Sequence, residues 1–174
     1  MVYINFEQQL EYLIREYQNL IYSICYQFTK DYFEAQDLAQ ETFLSAYRNL
    51  QNFDGANEKA WLCKIATNKC LDYQKKASRR MIPTNDTFFL TAQDPGDSPE
   101  NQWLNQEIRQ ELFEHCQMLK SPYKEVAIDY FYNEMDMKDI AEKTDKNIKT
   151  VQTQIYRAKA MLRTHYQRKG AKQR

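Results

Sequence analysis

Residues 136–159 read DMKDIAEKTDKNIKTVQTQIYRAK, and the spacing within this stretch decides the fold. Asp136 stands where a side-chain oxygen can cap a short helix whose Ile140 and Ala141 face inward, and Ala141 is small enough to let a second helix cross closely. A turn at Asp145-Lys146 follows, after which Asn147 can cap a longer helix. In that helix Val151, Ile155, Ala158 and Leu162 recur at i, i+4, i+7 and i+11, leaving Lys149, Thr153, Tyr156 and Arg157 on the opposite side. The pattern predicts a helix-turn-helix with an apolar seam and a polar reading face. The second helix of such a motif lies in the major groove of DNA, with early residues near base edges and later lysines and arginines near phosphates. A plain helical hairpin would share the seam; the small Ala141 and the basic second helix favour DNA.

Upstream, Leu10, Leu13, Ile14, Tyr17, Leu20, Ile21, Ile24, Cys25 and Phe28 form an amphipathic stripe that predicts a helix stopping near Lys30. A second stripe, Ala35, Leu38, Ala39, Phe43, Ala46, Tyr47 and Leu50, ends before residues 52–57, where Gly55 and the Asn and Asp residues favour a turn. A third helix is expected from Glu58 to Arg80. It places Leu62, Cys63, Ala66, Cys70, Tyr73 and Ala77 on one side, and Asn68, Asp72, Lys75, Lys76 and Arg79 on the other. Tyr73 is therefore expected in the core, with Trp61 nearer the polar side. Residues 83–99 hold three of the four prolines and only acidic charge, without apolar period, and read as a linker in which Phe88, Phe89 and Leu90 are unusually apolar. A periodic run from Trp103 through Ile108, Leu112, Cys116 and Leu119 then stops at Ser121-Pro122. Pro122 suits the first turn of a short helix spanning residues 123–132.

Composition bounds the alternatives. With 43% hydrophobic and 28% charged residues in 174, the chain is that of a globular protein, and three glycines leave little turn chemistry for hairpins or phosphate loops. The fold class is all-α: two small helical domains joined by a flexible acidic linker, with residues 1–80, 81–102 and 103–174 as first domain, linker and second domain. No run approaches the roughly 18 apolar residues of a membrane span, so no membrane insertion and a cytosolic location are expected. Cys25, Cys63, Cys70 and Cys116 form no Cys-x-x-Cys pair, and they are expected as reduced, half-buried thiols. No metal, no cofactor and no enzymatic constellation is implied. The net charge of zero conceals blocks: residues 1–58 carry 3 basic and 9 acidic groups, 59–80 carry 7 and 1, 81–145 carry 5 and 14, and 146–174 carry 9 and none. Two basic blocks on helices suggest two polyanion contacts, separated by acidic segments that oppose indiscriminate attraction.

Three motifs in order carry a resemblance that spans nearly the whole chain. Asp37-Leu38-Ala39-Gln40-Glu41-Thr42-Phe43 comes first; Ala60-Trp61-Leu62 with Ile65-Ala66-Thr67-Asn68 and Leu71-Asp72-Tyr73 follows; the helix-turn-helix ends at Tyr156-Arg157-Ala158-Lys159. Together they resemble a bacterial RNA polymerase sigma factor of the extracytoplasmic-function group. The resemblance implies a first domain that holds the polymerase clamp and melts the minus-ten element, and a second that reads the minus-thirty-five element. It assigns Asp37, Gln40 and Glu41 to core RNA polymerase. Asn52, Asn57, Trp61, Asn68, Asp72, Lys75, Lys76 and Arg79 fall to minus-ten promoter DNA, with residues 52–57 as the loop that holds an unstacked base. Lys149, Thr150, Gln152, Thr153, Tyr156 and Arg157 fall to minus-thirty-five DNA. It also implies an anti-sigma protein as a partner. Thr144 and Asp145 stand where the family often has leucine then glycine, and Asn147 and Lys149 where Ser and Gly are common, which points to an unusual promoter sequence. The alternative is a free-standing helix-turn-helix regulator; the Asp37 to Glu41 motif and the second basic helix speak against it.

Overall fold

The computed structural model describes residues 5–78 and 99–172 of the chain; Arg79, the expected linker up to residue 98 and Phe88-Phe89-Leu90 lie outside the described residues. Every regular element among the described residues is helical. The chain divides between Trp103 and Leu104 into two units.

In the first unit, α1 (Phe6–Thr29) is capped by Asn5, whose side chain accepts from the Glu7 N–H at 3.1 Å. The helix ends where predicted: Lys30 takes the left-handed conformation (φ 52°) and its N–H returns to the Tyr26 carbonyl at 2.8 Å. Asp31 immediately caps α2 (Tyr32–Asn49), accepting from Phe33 and Glu34 N–H groups at 2.9 and 3.3 Å. A connection this short forces α1 and α2 to pack side by side. A 3₁₀ turn (Leu50–Asn52) and the loop through Gly55 (φ 77°) lead into α3 (Glu58–Ser78). Leu13, Leu20, Ile21, Cys25 and Tyr26 of α1 are buried with Phe33, Ala35, Leu38, Ala39, Phe43 and Ala46 of α2 and Leu62, Ala66 and Cys70 of α3. The alanines let backbones approach closely. Because α1 packs against both other helices, its buried arc is wider than one stripe. Ser23 lies inside that arc, its hydroxyl satisfied by the Asn19 carbonyl at 2.8 Å.

Two expectations for this unit need correction. Tyr73 is half-buried instead of lying in the core, because it sits beyond the part of α3 that α1 and α2 cover, and Ala77 is exposed. The thiols are not uniformly half-buried: Cys25, Cys70 and Cys116 are fully buried and only Cys63 is intermediate. Cysteine behaves there as a small apolar residue suited to close helix contacts.

The helix α4 (Pro99–Gln117), most of which belongs to the second unit, begins at Pro99, where a proline lacks the N–H that a first turn leaves unbonded, so the helix starts four residues before Trp103. Pro122 stands one residue before α5 (Tyr123–Ala127). The expected helix to Tyr132 is completed by a π turn (Ile128–Tyr132), closed by Asn133 N–H to the Ile128 carbonyl at 2.9 Å. That turn buries Asp129, whose two carboxylate oxygens each accept from Lys143 Nζ at 2.8 Å. Lys143 belongs to α6 (Met137–Thr144), so this pair ties the first helix of the motif to the element before it. Asp136 occupies the cap position of α6 without a side-chain cap bond; its carbonyl, not its carboxylate, receives the Ile140 N–H. Val126, Ile140, Val151 and Ile155 form one apolar cluster, edged by Tyr130, Phe131, Met135, Met137 and Ala141. The last helix, α7 (Ile148–Lys172), buries Val151, Ile155, Ala158, Leu162 and Tyr166 in a single line.

Farther along α7, His165 and Tyr166 meet His115 of α4, with ring centroids 5.9 and 4.4 Å from the His115 ring. His115 Nε2 lies 3.6 Å from Glu111, which also pairs with Lys169. Burial, then His115 and Arg168, push the pKa of His165 below its ordinary value. The folded state therefore resists protonation at His165. Its stabilising effect is full above the unfolded pKa near ~6.5 and is lost as pH falls through the lower folded value. Thermal unfolding followed by circular dichroism should show the second unit losing stability as pH falls below about 6.5, and His165→Gln should flatten that slope. An unchanged slope in the variant would remove His165 as its source.

Candidate nucleic-acid interface

The basic helix of the first unit presents Lys64, Asn68, Asp72, Lys75 and Lys76 to solvent, while Leu62, Ala66 and Cys70 point into the core. Periodicity alone separates the two faces. Asp72 sits among these cations and is partly offset by Lys75, 4.0 Å away; the pair is exposed, so it contributes little to stability. Arg79, the last expected member of this face, lies outside the described residues.

The loop before α3 is built by its own polar side chains. Asp54 accepts from the Ala56 N–H at 3.0 Å, Gly55 supplies the positive φ, and Asn57 accepts from the Ala60 N–H at 3.0 Å. Asn57 thus caps α3, so its side-chain oxygen is engaged in the fold, whereas Asn52 is exposed. Trp61 is half-buried with its indole stacked on Phe53, centroids 4.2 Å apart and planes 16° from parallel. One face of the ring expected to meet DNA is therefore already covered by a residue of the loop. The sequence reading missed Phe53; its position eight residues before Trp61, across a glycine turn, was the available signal. Leu71 of the same motif is exposed on α3 beside Asp72.

On α2, Asp37, Gln40 and Glu41 are all exposed along one line. Glu41 lies 4.0 Å from Lys69 of α3. The same line continues through Leu44, 53% exposed, and Arg48, and Tyr47 beside it is 40% exposed instead of packing inward as its stripe suggested. An apolar side chain three residues after Glu41, in an otherwise polar line, was the signal for Leu44. A polar stripe with an apolar centre fits a protein surface better than a phosphate backbone.

In the second unit the turn of the motif survives without glycine. Asp145 adopts the left-handed conformation (φ 50°, ψ 43°), its N–H bonds Glu142, and Lys146 N–H reaches the Ala141 carbonyl at 2.9 Å. Asn147 then opens α7, accepting from the Lys149 N–H at 2.8 Å. Lys149, Thr150, Gln152, Thr153, Tyr156 and Arg157 are all exposed, opposite the buried line of the same helix. Tyr156 is 77% exposed, a large ring held in water. Thr153 donates to the Lys149 carbonyl at 2.9 Å, which leaves its oxygen lone pairs and methyl outward. Arg157 Nη1 reaches the Tyr123 hydroxyl at 3.4 Å, which draws the guanidinium toward α5. Lys159, expected near phosphates, is half-buried.

Residues 13–80 match the family model for sigma-70 region 2. Along most of its length the chain is similar to the ECF RNA polymerase sigma factor SigW of Bacillus subtilis, at 30% identity over 84% of this chain and 83% of that protein. It is similar to the RNA polymerase sigma-H factor of Pseudomonas aeruginosa at 31% identity, covering 90% and 85% respectively. The ECF RNA polymerase sigma factor SigM of Bacillus subtilis is 29% identical, covering 91% of this chain and 96% of that protein.

The cap geometry separates a structural from a purely DNA-binding role for Asn57. Asn57→Ala should cost the first unit about 1 kcal/mol in a denaturant melt, and Asn57→Ser should restore most of it. An unchanged midpoint for Asn57→Ala would show that the cap bond carries no weight.

Proposed function

Because this chain belongs to the ECF RNA polymerase sigma factors, we propose that Asp37, Gln40, Glu41 and Leu44 hold core polymerase, that the outer face of α3 engages the minus-ten element, and that the outer face of α7 reads the minus-thirty-five element. The protein is a regulatory subunit that directs promoter-specific initiation of transcription. It works by binding; the chemistry of RNA synthesis belongs to the polymerase, and the place of action is the cytoplasm, where polymerase and promoter DNA are. No helix among the described residues is long and apolar enough to cross a membrane. The observation that carries the reading is the pairing, on one small unit, of an exposed polar and apolar line on α2 with an exposed basic face on α3. A free-standing regulator needs no such second surface and is not favoured.

Each unit carries one basic face, so tight promoter binding requires a scaffold that fixes both faces at once and raises the effective concentration of the second contact. In a gel shift, the protein should retard a cognate promoter fragment specifically only with core polymerase present. The variant with Asp37, Gln40 and Glu41 all changed to Ala should lose that shift while keeping its helix content, since exposed polar positions rarely cost more than about 0.5 kcal/mol each. Specific retardation without polymerase, or a triple variant that unfolds, would overturn the assignment. An anti-sigma protein is the further partner, and the exposed Leu44 and Tyr47 are the surface it would cover to keep polymerase away.

Within the reading helix, Thr153 presents a hydroxyl oxygen and a methyl suited to a base edge, whereas Lys159, a full turn and more farther along, offers an ammonium on the side of the phosphates. Thr153→Ala should therefore cost roughly 1 to 3 kcal/mol at one base pair and relax selectivity there, and Lys159→Ala should weaken every promoter alike and reduce the salt slope by about one. Transcription from a panel of single-base changes at two salt concentrations distinguishes the patterns. A uniform loss with Thr153→Ala would take that residue off the base-reading face.

A further inference from the structure

The loop between the 3₁₀ turn and α3 is fixed by short backbone bonds and by one longer contact. Phe53 N–H donates to the Leu50 carbonyl at 3.2 Å, and Trp61 N–H donates to the Asn57 carbonyl at 3.0 Å. The bonds between Asp54 and Ala56 and between Asn57 and Ala60 likewise join near neighbours in the chain. The stack of Phe53 on Trp61 instead spans the loop from end to end, with centroids 4.2 Å apart and planes 16° from parallel. Both rings are half-buried, and residues 54–57 between them are exposed. Trp61 stands near the start of α3, and a helical side chain leans toward the N-terminus of its helix, so the indole lies back toward the loop. Leu62, Ala66 and Cys70 already anchor α3 in the core. The helix does not depend on the stack for its place; the loop and the indole do.

We propose that Phe53 is a positioning residue for minus-ten recognition: its ring holds the Trp61 indole in one orientation and clips residues 54–57 to the start of α3, so that the loop meets an unpaired promoter base already in its bound shape. The proposal rests on the assignment of α3 to the minus-ten element. A loop ordered only on binding subtracts the cost of that ordering from its affinity, and a loop ordered beforehand does not. Near-parallel aromatic contact favours the stacked orientation by on the order of 2- to 12-fold over a loose one. Phe53 covers one face of the indole, so the opposite face and the ring edge are what a base can meet. Bases stack on aromatic side chains, and a ring held still is a better partner than one that turns. Leucine at position 53 would supply the volume without the flat face, whereas tyrosine would supply both.

The test uses the full chain with Trp103→Phe, which leaves Trp61 as the single indole of the two in the sequence. The probe is a labelled promoter fragment that the wild-type protein transcribes with core polymerase, its minus-ten segment left unpaired. Phe53→Leu should weaken binding of the probe by on the order of 2- to 12-fold with polymerase present. In the free chain the same variant should make Trp61 fluorescence more readily quenched by acrylamide, while the melting midpoint moves by no more than about 3 °C. Phe53→Tyr should restore both binding and protection from quenching. Added to Trp61→Leu, Phe53→Leu should cost nothing further, because its effect passes through the indole. Should leucine lower the midpoint by more, Phe53→Met repeats the comparison with a side chain that adapts to the gap.

Unchanged probe binding in Phe53→Leu would overturn the proposal, and so would full additivity of the two losses, since Phe53 would then act independently of Trp61. Equal loss in Phe53→Tyr and Phe53→Leu would remove stacking as the cause. Failure of the wild-type protein to bind the probe with core polymerase present would count against the functional reading instead, and the quenching of Trp61 in the free chain tests the stack without reference to it.

Discussion

The burial of one line of side chains on α7, Val151, Ile155, Ala158, Leu162 and Tyr166, is the constraint on which the second unit depends. Once that line is turned inward, helical geometry leaves no choice about what faces water: Lys149, Gln152, Thr153, Tyr156 and Arg157 must lie on the other side. The orientation of this outward face is thus a by-product of packing, and no contact need be spent on holding it out. Asp129 and Lys143 add the second restraint, pinning α6 to the π turn so that Ile140 meets Val151 at a set height. A buried carboxylate is costly unless paired; here it receives two 2.8 Å bonds from one ammonium and a weaker one from Asn133.

The first unit obeys the same logic with three helices. Its two-residue connection at Lys30 and Asp31 is short enough to fix α1 against α2, and the alanines on the inner faces bring α3 close to both. Two exposed surfaces of opposite character result, an acidic and apolar line on α2 and a basic face on α3. Their separation onto neighbouring helices suits a sigma factor, which must engage a protein and a nucleic acid at the same time. The Glu41 and Lys69 contact lies where the two surfaces meet.

Most helices were legible because their apolar residues keep a 3.6-residue period, and Asn147 accepts the backbone bond predicted for it as a cap; Asn5 and Asp31 cap α1 and α2 without having been read as caps. The left-handed turn at Asp145 was legible for the same reason, since aspartate tolerates that conformation. Where the reading failed, the local signal was present but the backbone did not use it. Asp136 has the right identity and position for a cap but makes no such bond, and residues 123–132 keep helical spacing while the backbone widens into a π turn around buried Asp129.

The sequence by itself determined which residues share a helix face, because that follows from spacing along one chain. It therefore determined the inward lines, the outward sets at 37–41, 68–76 and 149–157, and the charge carried by each. Only the tertiary structure decided how far each line is covered, because coverage depends on where neighbouring helices end. Tyr47 and Tyr73 sit on apolar stripes yet reach water, and Trp61 finds its stacking partner in Phe53 because a glycine turn folds the loop back over α3.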